Sequence, residues 1–192
     1  MNVKGMDESN KQLVEAMVAL QPRLRRFAYG LAGSMDDADE LVQCTYERAL
    51  PRLDQWQVGT RLDSWLYRIL QNIWFNQLRA KRVRGEHLPH ADTDDLGCDR
   101  QQRQTEASMM LDRVRSCIQF LPEDQRAPLL LVSVEGLSYK EAAEVLDVPM
   151  GTLTSRLSRG RLALLQLMEK PASTADLTQV GVSSRDGSGV AI

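Results

Sequence analysis

The chain has 192 residues, enough for one ordinary domain or two small joined ones. With 43% hydrophobic and 26% charged residues it has the composition of a soluble globular protein, and no run approaches the roughly 18 consecutive apolar residues that a membrane span needs. The formal net charge of −2 does not exclude nucleic-acid binding, because phosphates respond to local patches and not to the sum.

The opening residues MNVKGMDESNKQ lack the apolar core of a secretory signal, so a cytoplasmic location is expected, with residues 1–9 disordered. Leu13, Met17, Leu20, Leu24, Phe27 and Leu31 fall at helical spacing and predict a first helix that Pro22 breaks or kinks. Ser34 is placed to cap a second helix with acids in its first turn and Leu41, Cys44, Thr45, Ala49 and Leu53 along its inner side. A third is predicted from about Asp63 to Arg84 through Leu66, Ile69, Leu70, Ile73 and Leu78. From Arg68 to Arg84 its charges are all positive (Arg68, Arg79, Lys81, Arg82, Arg84), whereas the second helix opens on Asp36, Asp37, Asp39 and Glu40. Such segregation lets one surface meet DNA and another meet a protein; on charge alone, ordinary solvated helix faces explain it equally well. These helices are expected to form one domain over residues 10–84.

The pattern dissolves in GEHLPHADTDDLGCDRQQRQ, and residues 85–105 read as an acidic, flexible linker. Its His87 and His90 have no thiolates nearby, and Cys44, Cys98 and Cys117 are odd in number and widely spaced. Neither a metal site nor a disulfide framework is expected. A second helical unit follows over residues 106–170, and residues 171–192, rich in small and polar types, are expected to be disordered. No segment alternates with period two. The predicted fold class is all-α, two small helical domains joined by a flexible linker.

Within the second unit, Ser138-Tyr139-Lys140-Glu141 forms a capping box ahead of an alanine-rich helix that ends near Leu146. Asp147-Val148-Pro149 turns the chain, and Met150-Gly151-Thr152 starts another helix. Small Ala142 and Ala143 permit the steep crossing of a helix-turn-helix. On the last helix Leu153, Leu157, Gly160 and Leu164 share one side, while Ser155, Ser158 and Arg159 lie opposite, flanked by Thr154, Arg156 and Arg161. Short hydroxyls with arginine suit a helix inserted into the major groove. A helical hairpin with a solvated polar face is the plainer alternative.

Several stretches, in order, resemble the sigma-70 family, and within it the extracytoplasmic-function (ECF) group. Asp37-Ala38-Asp39-Glu40-Leu41-Val42-Gln43 followed by Tyr46 is similar to that family's polymerase-binding segment, usually D-A-E-D-L-V-Q. Ser64-Trp65-Leu66-Tyr67-Arg68-Ile69 with Asn72 is similar to its promoter-melting segment. Leu121-Pro122 and the run from Gly136 to Leu162 resemble the domain that reads the −35 element. The resemblance spans about residues 10 to 168. It implies core-polymerase binding through Asp36, Asp39, Glu40, Gln43 and Tyr46, with the domain over 10–84 also recognising and melting the −10 element. It places −10 contacts on Trp56, Arg61, Arg68, Asn72, Asn76, Arg79, Lys81 and Arg82. It places −35 contacts on Thr152, Thr154, Ser155, Arg156, Ser158 and Arg159.

Trp56, Trp65, Tyr67, Trp74 and Phe75 interleave with basic residues, and unpaired bases stack on aromatic faces at roughly 1–3 kcal/mol each. Trp65 shares a side with Ile69 and is expected to be buried; Trp74 and Phe75 cannot both face the core. The resemblance also implies that the loop from Asp54 to Leu62 captures a flipped base. Asn76 stands where the family usually has aspartate. Asp92, Asp94, Asp95 and Asp99 either follow a channel built for RNA or belong to a plain spacer.

The function implied is that of an RNA polymerase sigma factor, with core RNA polymerase, promoter DNA and an anti-sigma factor as partners. No catalysis, no cofactor, no metal and no membrane insertion is expected. The rival readings are a helix-turn-helix regulator acting without polymerase, and a sigma-like decoy that binds an anti-sigma factor.

Overall fold

The computed structural model describes residues 8–56, 59–85 and 106–169. The tails, most of the linker with its histidines and aspartates, and Gln57 and Val58 of the loop from Asp54 to Leu62 lie outside them. All regular structure among the described residues is helical, as the periodicity predicts.

Helix α1 spans Glu8–Ala32, α2 spans Met35–Ala49, and a 3-10 segment, Leu50–Gln55, leads toward α3, Leu62–Val83. Of the break or kink expected at Pro22, the break does not occur: Pro22 lies inside α1. Pro22 and Val18, whose carbonyl loses its partner at the proline, both face solvent. Met17, Leu24, Phe27 and Leu31 on the opposite side are buried, so packing holds the helix through the defect. Ser34 caps α2 as predicted, accepting from the Asp37 N–H at 3.1 Å. The buried side of α3 carries Leu66, Leu70, Ile73, Trp74 and Leu78. Trp74 takes the core position and Phe75 is left half-buried.

The second unit comprises α4 (Glu106–Gln119), α5 (Glu123–Leu129), a π-helical turn (Leu130–Val134), α6 (Tyr139–Leu146) and α7 (Met150–Glu169). The capping box of α6 is complete: Glu141 N–H donates to Ser138 Oγ at 3.3 Å, and Ser138 N–H donates to Glu141 Oε2 at 2.7 Å. Asp147 closes that helix in the left-handed region at φ 53°, where a short polar side chain is tolerated. Pro149 then starts the turn into α7, which gives the predicted helix-turn-helix. Leu153, Leu157 and Gly160 are buried, and Gly160 lets α7 approach so closely that a Cβ there would stand 3.1 Å from the Gln125 carbonyl oxygen.

The two units are packed together. Gly30 of α1 meets Leu130, with the leucine methyls 2.8 Å from where a Cβ would lie. Gln119 Nε2 donates to the Gly30 carbonyl at 3.0 Å, and Arg126 donates to the Leu31 carbonyl at 2.6 Å. Burial drives the Arg126 guanidinium down to about 10.

Candidate nucleic-acid interface

The outer face of α3 follows from its period. Arg68, Asn72, Asn76 and Arg79 recur at intervals of four or three residues and are all exposed, on the side opposite Leu66, Leu70 and Ile73. Arg61 and Arg82 flank this stripe and are exposed, and Lys81 is half-buried. Trp65, expected in the core, is half-buried beside the stripe. Trp56 follows the 3-10 segment, half-buried, with its indole nitrogen shielded.

Tyr67 is one of the aromatics of the strip that the core takes up. It belongs to the aromatic strip but is fully buried, edge-on to Phe27 with ring centroids 5.1 Å apart. Its hydroxyl donates to Glu135 Oε2 at 2.5 Å. Burial, and then that hydrogen bond, push the phenol far above its usual value, so it remains a donor and offers no face to a base.

On α7, Thr154, Ser155, Ser158 and Arg159 are exposed, and Thr152 and Arg156 are half-buried. Three of these side chains fold back on the helix. Thr154 Oγ1 donates to Met150 O at 2.9 Å, Ser155 Oγ to Thr152 O at 2.9 Å and Arg159 Nε to Ser155 O at 3.3 Å. Arg156 lies 3.5 Å from Asp124. The face matches the prediction: short hydroxyls and arginine opposite a leucine core.

The acidic residues lie at the start of α2. Asp36, Asp39, Glu40 and Gln43 are exposed; Asp39 pairs with Arg25 at 2.6 Å and Gln43 donates to Glu47 at 3.0 Å. Tyr46 is different, half-buried and donating to the Met17 carbonyl at 2.9 Å. It ties α2 to α1, and burial raises its phenol pKa.

Residues 17–84 match the family described as sigma-70 region 2, and residues 111–164 match sigma-70 region 4. The chain belongs to the ECF group of sigma-70 factors. It is 36% identical over 156 residues to the ECF RNA polymerase sigma factor EcfG of Rhodopseudomonas palustris, covering 81% of this chain and 84% of that one. It is 34% identical to the ECF RNA polymerase sigma factor SigE of Mycolicibacterium smegmatis, over 79% of this chain and 59% of that one. Among solved structures, it is similar to the sigma factor RpoE in complex with the anti-sigma factor NepR from Bartonella quintana. That likeness has a TM-score of 0.67 at 31% identity and covers 82% of this chain and 97% of the other. CnrH, in complex with the cytosolic domain of CnrY, shares the fold at a TM-score of 0.58 and 24% identity, covering 82% of this chain and 88% of that one.

In this sigma factor the α3 stripe and the acidic α2 start both lie in region 2, and the α7 face lies in region 4. Sequence reasoning missed a further set of residues: Arg23, Arg26, Asp63, Arg126 and Glu135. Arg23 donates to Asp63 at 3.0 Å and to Glu135 Oε2 at 3.3 Å; Arg26 donates to Glu135 Oε1 at 2.8 Å. Arg61 donates to Asp63 at 2.6 Å and to Glu141 at 2.9 Å, and these partners raise its pKa further. Burial alone would raise the Asp63 carboxyl, but Arg61, the Ser64 N–H and Arg23 outweigh it and hold the pKa below the usual carboxylate value. No motif marks these residues, because their partners lie up to 112 positions away.

Proposed function

We propose that the protein recruits core RNA polymerase to promoters and opens the DNA there, without catalysing a reaction itself, in the cytoplasm. Region 2, in residues 10–84, docks polymerase through Asp36, Asp39, Glu40 and Gln43. Tyr46 supports that surface by anchoring α2. The α3 stripe of Arg68, Asn72, Asn76 and Arg79, with Trp56, Arg61, Lys81 and Arg82 around it, holds the −10 element as it is opened. Region 4, in residues 106–170, presents Thr152, Thr154, Ser155, Arg156, Ser158 and Arg159 to the −35 element.

The observation that carries this reading is the coexistence of two exposed basic-polar helix faces, on α3 and α7, in separate units of one chain. Arginine and short hydroxyls are the side chains that hold phosphates and read major-groove edges. Bivalent engagement through two linked modules raises the effective concentration of each at its site. An anti-sigma factor is a further proposed partner, since the similar Bartonella quintana sigma factor was solved in complex with one.

The test is in vitro transcription with purified core polymerase on a genomic promoter library, alongside co-purification with core. Start-site-specific transcripts are expected. DNA binding without core association would favour a polymerase-independent regulator, and binding to an anti-sigma factor alone would favour a decoy.

A further inference from the structure

We propose that Asp63 is a positioning residue for strand opening: it clamps the Arg61 guanidinium at the start of α3, so that Arg61 meets a phosphate of the opened −10 strand in one fixed orientation. The proposal deepens the −10 assignment of Arg61 and rests on that reading.

Arg61 is the N-cap of α3, where the loop from Asp54 to Leu62 joins the helix. Its Nε donates to Asp63 Oδ1 at 3.0 Å and its Nη2 to Asp63 Oδ2 at 2.6 Å, a side-on fork. Asp63 is fixed in its turn. Oδ1 also accepts from the Ser64 N–H at 2.8 Å, one of the helix-start donors that lack a carbonyl partner. Oδ2 also accepts from Arg23 Nη1 of α1 at 3.0 Å. Each carboxylate oxygen thus has two donors, which fills its lone pairs. Every donor lies within residues 10–84, so the clamp does not depend on the second unit.

This arrangement separates Arg61 from the other arginines paired along α3. Arg68 and Arg82 each reach a carboxylate through one nitrogen, and those carboxylates, Asp147 and Glu123, belong to the second unit. Among the described residues assigned to the −10 element, Arg61 alone is gripped at two points by its own domain. A guanidinium held this way keeps its plane and heading, whereas an ammonium is a point charge with rotating donors.

The nitrogen left over is Nη1. It donates to the Glu141 carboxylate at 2.9 Å, so an oxygen anion can reach it. The Arg61 side chain is 45% exposed and that of Asp63 only 9%, which sets the clamp inside and the cationic tip outside. The rotamer freedom of a long side chain is therefore lost before DNA arrives, and the contact to the separated strand is preorganised.

The test uses the full chain assembled with core polymerase on a promoter recovered from the library. Arg61→Ala removes the contact and Asp63→Asn removes the charge of the clamp. Arg61→Lys keeps a cation beside an intact Asp63–Arg23 pair but cannot form the fork. Closed-complex affinity is read by gel retention, and the rate of opening by permanganate reactivity of thymines in the −10 element. All three variants should open DNA on the order of tenfold more slowly, the scale of one charge-assisted hydrogen bond, with closed-complex affinity unchanged. The double variant of Arg61→Ala and Asp63→Asn should be no slower than Arg61→Ala alone. Opening at the wild-type rate by Arg61→Lys or by folded Asp63→Asn would overturn the proposal. So would additive losses in the double variant, or a parallel loss of closed-complex affinity, which would make the clamp a general scaffold. If thermal denaturation shows that Asp63→Asn does not fold, Arg61→Lys decides the matter. A wild type that opens no DNA with core would overturn the proposed function and this proposal with it; a wild type that opens DNA no faster than its variants overturns this proposal alone.

Discussion

Arg126 of α5 donates to the carbonyl of Leu31, 2.6 Å away at the end of α1, so a cation from region 4 caps a helix of region 2. The same guanidinium donates to the carbonyls of Gln119, at 2.5 Å, and Leu121, at 3.0 Å, closing the end of α4. Helix C-termini leave carbonyls unsatisfied, and here one buried side chain serves two of them. Arg126→Leu should cost about 2–4 kcal/mol, because buried acceptors lose a charged donor and gain none. Denaturant titration measures this, and Arg126→Lys should recover part of the loss. A negligible change would mean that water replaces the guanidinium.

Asp63 makes stability depend on acid. Its pKa is lowered from the usual 3.8 in the folded state, so its contribution is complete above that value and is lost as the pH falls through the lower, folded one. Asp63→Asn should therefore flatten the fall in denaturation midpoint across that acid range, with Arg61 and Arg23 losing their shared anion. An unchanged acid limb would assign the pH dependence to other carboxylates.

Arg159→Ala should weaken −35-dependent promoter binding by about 1–3 kcal/mol and relax base preference at one position. Binding to promoters with single-base changes provides the measurement. Equal weakening on every sequence would make Arg159 a phosphate contact instead.

Asp39→Lys combined with Glu40→Lys should abolish association with core polymerase. Both residues are exposed, and the Asp39–Arg25 pair lies in solvent, so folding stability should change by less than about 1 kcal/mol. Co-purification alongside thermal denaturation separates the two effects. Retained core binding would remove the acidic start of α2 from the docking surface.

Local physics was legible in the chain itself. The Ser34 cap, the Ser138–Glu141 capping box, the turn at Asp147–Pro149 and the leucine side of α7 all depend on residues within a turn or two of one another. The exposed face of α3 follows from the same period. The stretches Asp37–Gln43, Ser64–Ile69 and Gly136–Leu162, in that order, carried the family resemblance, and each is likewise a local run of residues. Three matters needed the tertiary structure. Pro22 stays within α1 because burial of Met17, Leu24 and Phe27 outweighs one missing hydrogen bond. Tyr67, on sequence one aromatic among several, is withdrawn into the core by Phe27 and Glu135. Glu135 itself has no local signature, since its three donors come from residues 68 to 112 positions earlier. A periodic pattern records which side of a helix is apolar; which distant charge that helix meets is decided only when the units close on each other.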